Sequence, residues 1–432
     1  MRAFAKIGAA RPLIGPRPEL PGLLAPIGPL ALIAALFVAA GCSAPRTTTS
    51  QSSNGGAETI KIGIDLPVSG ADASTGIPTR NGAVQAIEDA NAKAPAGVTF
   101  AAYDLDDAVQ GAHDPAQGAQ NVRSFVSDAA VLGMIGPYNS SVAQAEIPIT
   151  NDAGLAQVSP ATTNPGLTKG DGATKMRTSH PDVNAFFRVC TTDDRQGAAG
   201  AQFARKLGLK KAFIVDDNET YGKGLADVFE AQFKADGGSV LGHEHLTKGQ
   251  TDFKALLTKA SALGPDLIYY GGTTATGGGL LRKQMRDANM GSLPYLGGDG
   301  ISDAEFETVA GDAANGAYYS VAAPEVSKLP SAAAFVAAYK KRWGTDVGPY
   351  SANAYAAANI EIAAIEKAMA ANGNKLPSRA GVLALVAKTS NFPSPIGPIG
   401  FDRNGDTTNP ILSIYKVANE RPVFVDQVDL KL

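Results

Sequence analysis

Cysteine is almost missing from this chain: Cys42 and Cys190 are the only two in 432 residues, which leaves no disulfide framework to read. Histidine is scarce as well, with His113, His180, His243 and His245 the full set. His243 and His245 alternate on an expected strand, so both can point the same way. No run of His, Asp or Glu with recognised ligand spacing accompanies them, so no metal site is expected and both are read as solvent-facing. FDRNGD at 401–406 resembles a calcium loop through Asp402, Asn404 and Asp406. Thr407 stands where such a loop needs its glycine, and Ser413 where it needs its final Glu, so the segment reads as a turn.

Groups for covalent chemistry are equally hard to find. In GMIGPYNSSVAQAEIP (133–148), two serines open an expected helix directly after a strand. A nucleophile elbow needs glycine two residues either side of the serine, with a histidine and an acid later in the chain. Ser140 has Tyr138 and Val142 at those places. GGTTATGGG at 271–279 and YGKG at 221–224 are glycine-rich, but neither makes a dinucleotide fingerprint or a phosphate loop with its Lys-Ser/Thr pair. Hydrolase, kinase and dehydrogenase readings all fail, so a binding protein without a cofactor is expected rather than an enzyme.

The front of the chain is basic, then apolar. Arg2, Lys6, Arg11 and Arg17 precede the run GPLALIAALFVAAG, whose uncharged part is too short for a spanning helix. Residues 1–42 read as an export signal, and the ending V-A-A-G-C resembles a bacterial lipobox with Ala39 in the place usually held by leucine. That resemblance makes Cys42 the lipidated first residue. Residues 43–57, rich in Ser, Thr and Gly, read as a flexible tether. Processing removes four of the 38 basic residues and one of the 41 acidic ones, leaving 34 against 40 and a net charge near −6. That balance argues against nucleic acid and against electrostatic attachment to anionic lipid. With Cys42 assigned to lipid, Cys190 is expected to be a buried, inert thiol.

From Glu58 onward, about 375 residues alternate short apolar runs with helical stretches, more than one core usually serves. TIKIGIDL, VTFAAYDLDD, AVLGMIG and GLAQVSP read as strands, and the rhythm restarts at KKAFIVDD. Strands alternating with helices predict an α/β fold of two Rossmann-like lobes with parallel sheets. SAAAFVAAYKKRWG and PYSANAYAAANIEIAAIEKAMAANG add long helices. IGPIGFDRNGDTTNPILSIYKVAN reads as a hairpin turning at Asn404-Gly405.

In open α/β sheets the ligand site lies beyond the carboxyl ends of the strands, where helix amino termini offer N–H groups and a positive dipole end. Three polar clusters fall there: NSS at 139–141, SPATTNP at 159–165 and GGDG at 297–300. The first two suit an anion and Asp299 suits a cation, so a small zwitterion fits.

The succession IKIGIDLPVSG, MIGPYNSS, SPATTNPGLT, FFRVCTTDDRQG, VDDNETYGKGLA, GPDLIYYGG, GDGISD and GDAANGAYY resembles the extracytoplasmic substrate-binding proteins of branched-chain amino acid ABC transporters, from about Ile60 to about Tyr415. The resemblance implies the type I periplasmic-binding fold, two lobes joined by three crossings and closing over a ligand. It implies a first lobe of 58–187 plus 320–385 and a second of 188–319 plus 386–432. Ser140 would hold the ligand carboxylate, Thr162 and Thr163 would add contacts to the head group, Tyr221 would close from the other lobe, and Asp299 would hold the ammonium. Ser69, with Val68 and Gly70, matches a loop that shapes the side-chain pocket. The implied partners are an amino acid or related solute, an ABC permease, and a cell membrane reached through the lipid anchor. Thr273 and Thr274 stand where leucine-type binders often carry aromatics, and Gly70, Ala71 and Asp72 replace a further apolar wall. That loss favours a smaller or more polar amino acid, or an amide, because branched side chains gain most from buried hydrocarbon. A sensor presenting its ligand state to a membrane receptor would use the same cleft.

Overall fold

The computed structural model describes residues 58–95 and 97–429; the expected signal segment 1–42 with Cys42, and the expected tether 43–57, lie outside the described residues. Strand β1 (Glu58–Leu66) opens the first lobe with Ile60, Ile62, Ile64 and Leu66 fully buried. Helix α1 (Ala73–Asn91) runs through Pro78. After β2 (Val98–Asp106) come a two-stranded ribbon, β3 (Ala108–Val109) and β4 (Ala112–His113), and helix α2 (Pro115–Ser127). Asp114 starts α2 by accepting the N–H groups of Ala116 and Gln117, and Pro115 takes the first turn, where no N–H is needed. Strand β5 (Val131–Ile135), α3 (Ser140–Ala153), β6 (Ala156–Ser159), α4 (Gly170–Met176) and β7 (Phe186–Arg188) complete this stretch. The sheet order is β2-β1-β5-β6-β7, all parallel.

The second lobe repeats the pattern with α5 (Asp193–Lys206), β8 (Lys211–Asp216), α6 (Thr220–Ala235), β9 (Ser239–His245), α7 (Lys254–Leu263), β10 (Leu267–Gly271), α8 (Gly278–Asp287), β11 (Tyr295–Gly297), α9 (Ala304–Ala310) and β12 (Tyr318–Val321). The chain then returns to the first lobe as α10 (Ala333–Trp343), α11 (Ser351–Ala371) and α12 (Arg379–Val386). Helix α11 lies on α1 at close range: a Cβ on Gly82 would stand 2.1 Å from the Ser351 carbonyl oxygen. Strands β13 (Ile411–Ala418) and β14 (Arg421–Asp429) finish the second sheet, ordered β14-β13-β12-β11-β10-β8-β9. It is parallel from β9 to β12 and antiparallel at β12, β13 and β14.

The expected two α/β lobes are therefore present, with corrections in the tail. The hairpin is β13–β14, and its turn is Asn419-Glu420, both left-handed at φ 53° and 56°. Asn404-Gly405 does turn the chain back on itself, with an isolated antiparallel bridge between Phe401 and Thr407 and the N–H of Asp402 donating to the carbonyl of Asp406 at 2.8 Å. The 385/386 boundary does not coincide with a change of sheet. Phe401 stacks on Phe187 at 5.0 Å, and the carbonyl of Gly405 accepts the N–H of Arg188 at 3.0 Å. Residues 388–409 thus cover the β7 side of the first sheet. The 319/320 boundary likewise falls inside β12, which pairs wholly in the second sheet.

Three strands of chain pass between the lobes, near 189–192, 322–325 and 407–410. Thr191 ties them together. Its N–H donates to the carbonyl of Ala322 and its hydroxyl to the carbonyl of Ile411, both at 2.9 Å.

Candidate functional site

The carboxyl ends of the first sheet build one wall. β5 is buried along its whole length and delivers the chain to Gly136, at φ 123°. A Cβ there would lie 2.1 Å from the Asp65 carbonyl oxygen, so only glycine fits this approach. Asn139 then takes the N-cap position in extended conformation, and Ser140 is the first residue of α3. The first turn of a helix has N–H groups without partners inside it. Ser140 is buried, and its hydroxyl oxygen accepts the N–H of Asn164 at 3.3 Å.

The neighbouring turn divides the roles of its two threonines. Every polar group of Thr162 is engaged within the protein. Its N–H and hydroxyl donate to the Ser159 hydroxyl oxygen at 3.0 and 2.8 Å, and its carbonyl accepts from Arg188 at 2.9 Å and the Cys190 thiol at 3.3 Å. Thr163 is buried, but its hydroxyl has no hydrogen-bond partner in the protein. Cys190 is fully buried and its thiol is pushed up by that burial, in keeping with the inert thiol expected.

The opposite wall is acidic. Asp299, after β11, is buried and accepts three hydrogen bonds: from Gln196 at 2.7 Å, from Tyr221 at 2.9 Å and from Tyr350 at 2.9 Å. Burial raises its carboxyl above the usual range, and those three donors oppose the rise. The Tyr221 hydroxyl also accepts the Gly300 N–H at 2.9 Å, which locks α6 to the acid loop. Tyr350 comes from the first lobe, so Asp299 joins both halves of the molecule.

Asp193, the first residue of α5, was not singled out by sequence. It is fully buried, and neither carboxylate oxygen has a hydrogen-bond partner in the protein. Burial pushes its carboxyl well up, the Asp299 charge adds to the rise, and Thr163 and Arg188 act against it. Arg188 itself is committed elsewhere, to Asp406 at 2.7 Å and to the carbonyls of Thr162 and Asn164. Tyr138 stands edge-on to Tyr350 with ring centroids 5.6 Å apart, and its buried hydroxyl is also without a protein partner. The site thus collects two buried acids, two unpaired hydroxyls and a helix amino terminus. A histidine base beside a serine is lacking among these residues.

Ser140, Thr163, Tyr221 and Asp299 fall on these two walls, and Thr162 lies behind them. Ser69 does not join them: it is exposed and precedes a short turn of helix at Gly70–Asp72 without a side-chain cap. Thr274 donates to the Asp303 carboxylate at 2.7 Å, and Thr273 bonds with Thr276, so both threonines are held inside the second lobe. Asp193 carried one legible signal, an acid opening a helix just after a strand in VCTTDDRQG. Tyr138 and Tyr350 carried none, because their meeting depends on the tail returning to the first lobe.

Contacts across the lobes ring the site. His113 of β4 reaches Glu219 at 2.8 Å, Asn164 donates to the Thr220 carbonyl at 2.6 Å, and Ser74 donates to Asp303 at 3.2 Å.

The profile of the periplasmic binding protein family matches residues 59–421. The chain is 32% identical over 358 residues to the Leu/Ile/Val-binding protein BraC3 of Rhizobium johnstonii, covering 83% of this chain and 91% of that one. It is 29% identical over 363 residues to the leucine-, isoleucine-, valine-, threonine- and alanine-binding protein of Pseudomonas aeruginosa, covering 83% and 90%. The leucine-binding protein LivK of Thermotoga maritima superposes with a TM-score of 0.75 at 27% identity, over 86% of this chain and 99% of that one. A matching profile, relatives of this type and two α/β lobes agree: the chain belongs to the periplasmic binding proteins, as an extracytoplasmic, non-catalytic solute-binding protein of the branched-chain amino acid transport type.

Proposed function

We propose that the solute is a small α-amino acid held as a zwitterion, its ammonium between Asp193 and Asp299 and its carboxylate at the head of α3, with Ser140 and Thr163. The observation that carries this reading is Asp193, fully buried with no hydrogen bond formed to either oxygen and only the nearby Thr163 hydroxyl set against it. A buried carboxylate without a partner is costly, and a ligand ammonium supplies what it needs. Thr163 sets its hydroxyl next to Asp193, while Thr162 has no free group and shapes the turn. Tyr221 contributes by fixing Asp299 and the Gly300 amide. The bound solute is delivered to an ABC permease.

Cys42 is read as the acylated first residue of the mature chain, with 43–57 as the tether holding the lobes off the membrane. Titration calorimetry against the twenty amino acids, simple carboxylates and amides tests the ligand. Amino acids should bind and their des-amino analogues should not. Equal affinity for a carboxylate lacking the amine overturns the head-group assignment.

A further inference from the structure

On the outer edge of the second sheet, β9 carries His243 and His245 on one face, and the parallel register sets His245 beside Asp216 at the end of β8. His243 Nε2 lies 2.7 Å from Asp216 Oδ2, and His245 Nδ1 lies 2.8 Å from the same oxygen. One ligand atom from each residue falls within 4.8 Å of the others. A tetrahedral zinc centre with bonds of about 2.0–2.2 Å keeps its ligand atoms within this span, so small side-chain shifts suffice. Behind His243, Nδ1 faces Glu230 Oε2 at 2.5 Å. A carboxylate on the far nitrogen fixes the tautomer and aims Nε2 at a metal, the usual support for a ligating histidine. The lysines of the neighbouring helix face are engaged: Lys223 with Asp227 and Lys234 with Glu230. Asp216 is buried, His243 is largely covered and the His245 side chain is 46% exposed, so the cluster has an anchored floor and an open side.

We infer that Asp216, His243 and His245 form a divalent transition-metal site, with Glu230 as the positioning residue behind His243 and solvent in the remaining coordination position. Two imidazoles and one carboxylate are the donor set of zinc and its neighbours rather than of calcium or magnesium. The site is separate from the solute cleft. Its effect is to pin the edge strand β9 to β8.

The test uses the untagged full chain carrying Cys42→Ser, so that this thiol cannot compete, freed of metal by chelator and dialysed. Zinc chloride titrated calorimetrically should bind at one ion per chain and raise the melting temperature. Cobalt(II) should give the visible absorption of a tetrahedral ion. His243→Ala and His245→Ala should each weaken zinc binding at least tenfold and abolish the cobalt band. Asp216→Asn should do the same; because Asp216 is buried, the half-exposed His245 variant decides if that one fails to fold. No stoichiometric zinc binding by the parent chain, or unchanged binding in both histidine variants, overturns the inference.

Discussion

His113 Nε2, on the first lobe, stands 2.8 Å from Glu219 Oε2 at the head of α6 on the second, while its Nδ1 faces Asp72 Oδ2 at 2.9 Å. Both ring nitrogens therefore donate to carboxylates, which requires the imidazolium. Burial alone would lower the His113 pKa, but Asp72 and Glu219 outweigh it and push it up to about 10. The latch is a charged pair spanning the lobes with almost no exposure on the histidine side.

A group whose pKa rises on folding stabilises fully below its ordinary value and less as pH climbs to the folded value. The His113 contribution should be complete below about 6.5 and fall away toward pH 10. His113→Ala leaves Asp72 and Glu219 facing each other and should cost about 3 kcal/mol near neutral pH. Melting temperatures of wild type and variant, measured from pH 6 to 10, should converge at the alkaline end. A constant gap would show that packing, not charge, is lost.

Asp193→Asn should separate stability from function. The raised carboxyl pKa of Asp193 means its charge opposes folding above the ordinary carboxylate range. Removing that charge should raise the melting temperature of the ligand-free protein at pH 7 by a few degrees. Affinity for the amino acid should fall about 30-fold or more, the loss of a buried charge-assisted contact of roughly 2–3 kcal/mol. Calorimetry and thermal melts together check it; a destabilised variant with unchanged affinity would make Asp193 a structural residue.

Cys42→Ser should abolish fatty-acid labelling of the chain and release it from the membrane fraction, since one residue carries the proposed anchor. Metabolic labelling with a tagged palmitate reads this directly. Labelling that persists in the variant would place the anchor elsewhere.

Much of the fold was legible because short apolar runs and helical periodicity alternate so regularly; α3 spans the Ser140–Ala153 segment that the pattern marks. The tail was legible only in part. Asn-Gly is a strong turn signal and 404–405 does turn the chain, while the hairpin of β13 and β14 turns through Glu420 in a left-handed conformation that no residue preference announces. In the site, Ser140, Thr163 and Asp299 were visible as polar residues at strand ends. Asp193 became evident only once its neighbours were known to leave both oxygens without a partner. The histidines at 243 and 245 show the same limit. Their shared face follows from alternation, but Asp216 joins them through a strand pairing that spacing along the chain does not reveal.

Thr191 joins three passages of chain that lie far apart in sequence, and this bears on when the protein can fold at all. The first sheet is complete at Arg188, yet its covering helix α11 ends only at Ala371. The second sheet waits for β13 and β14, which end at Asp429. Neither core can close before nearly the whole chain is available. The two lobes therefore complete late and nearly together, once the residues after 388 are in place.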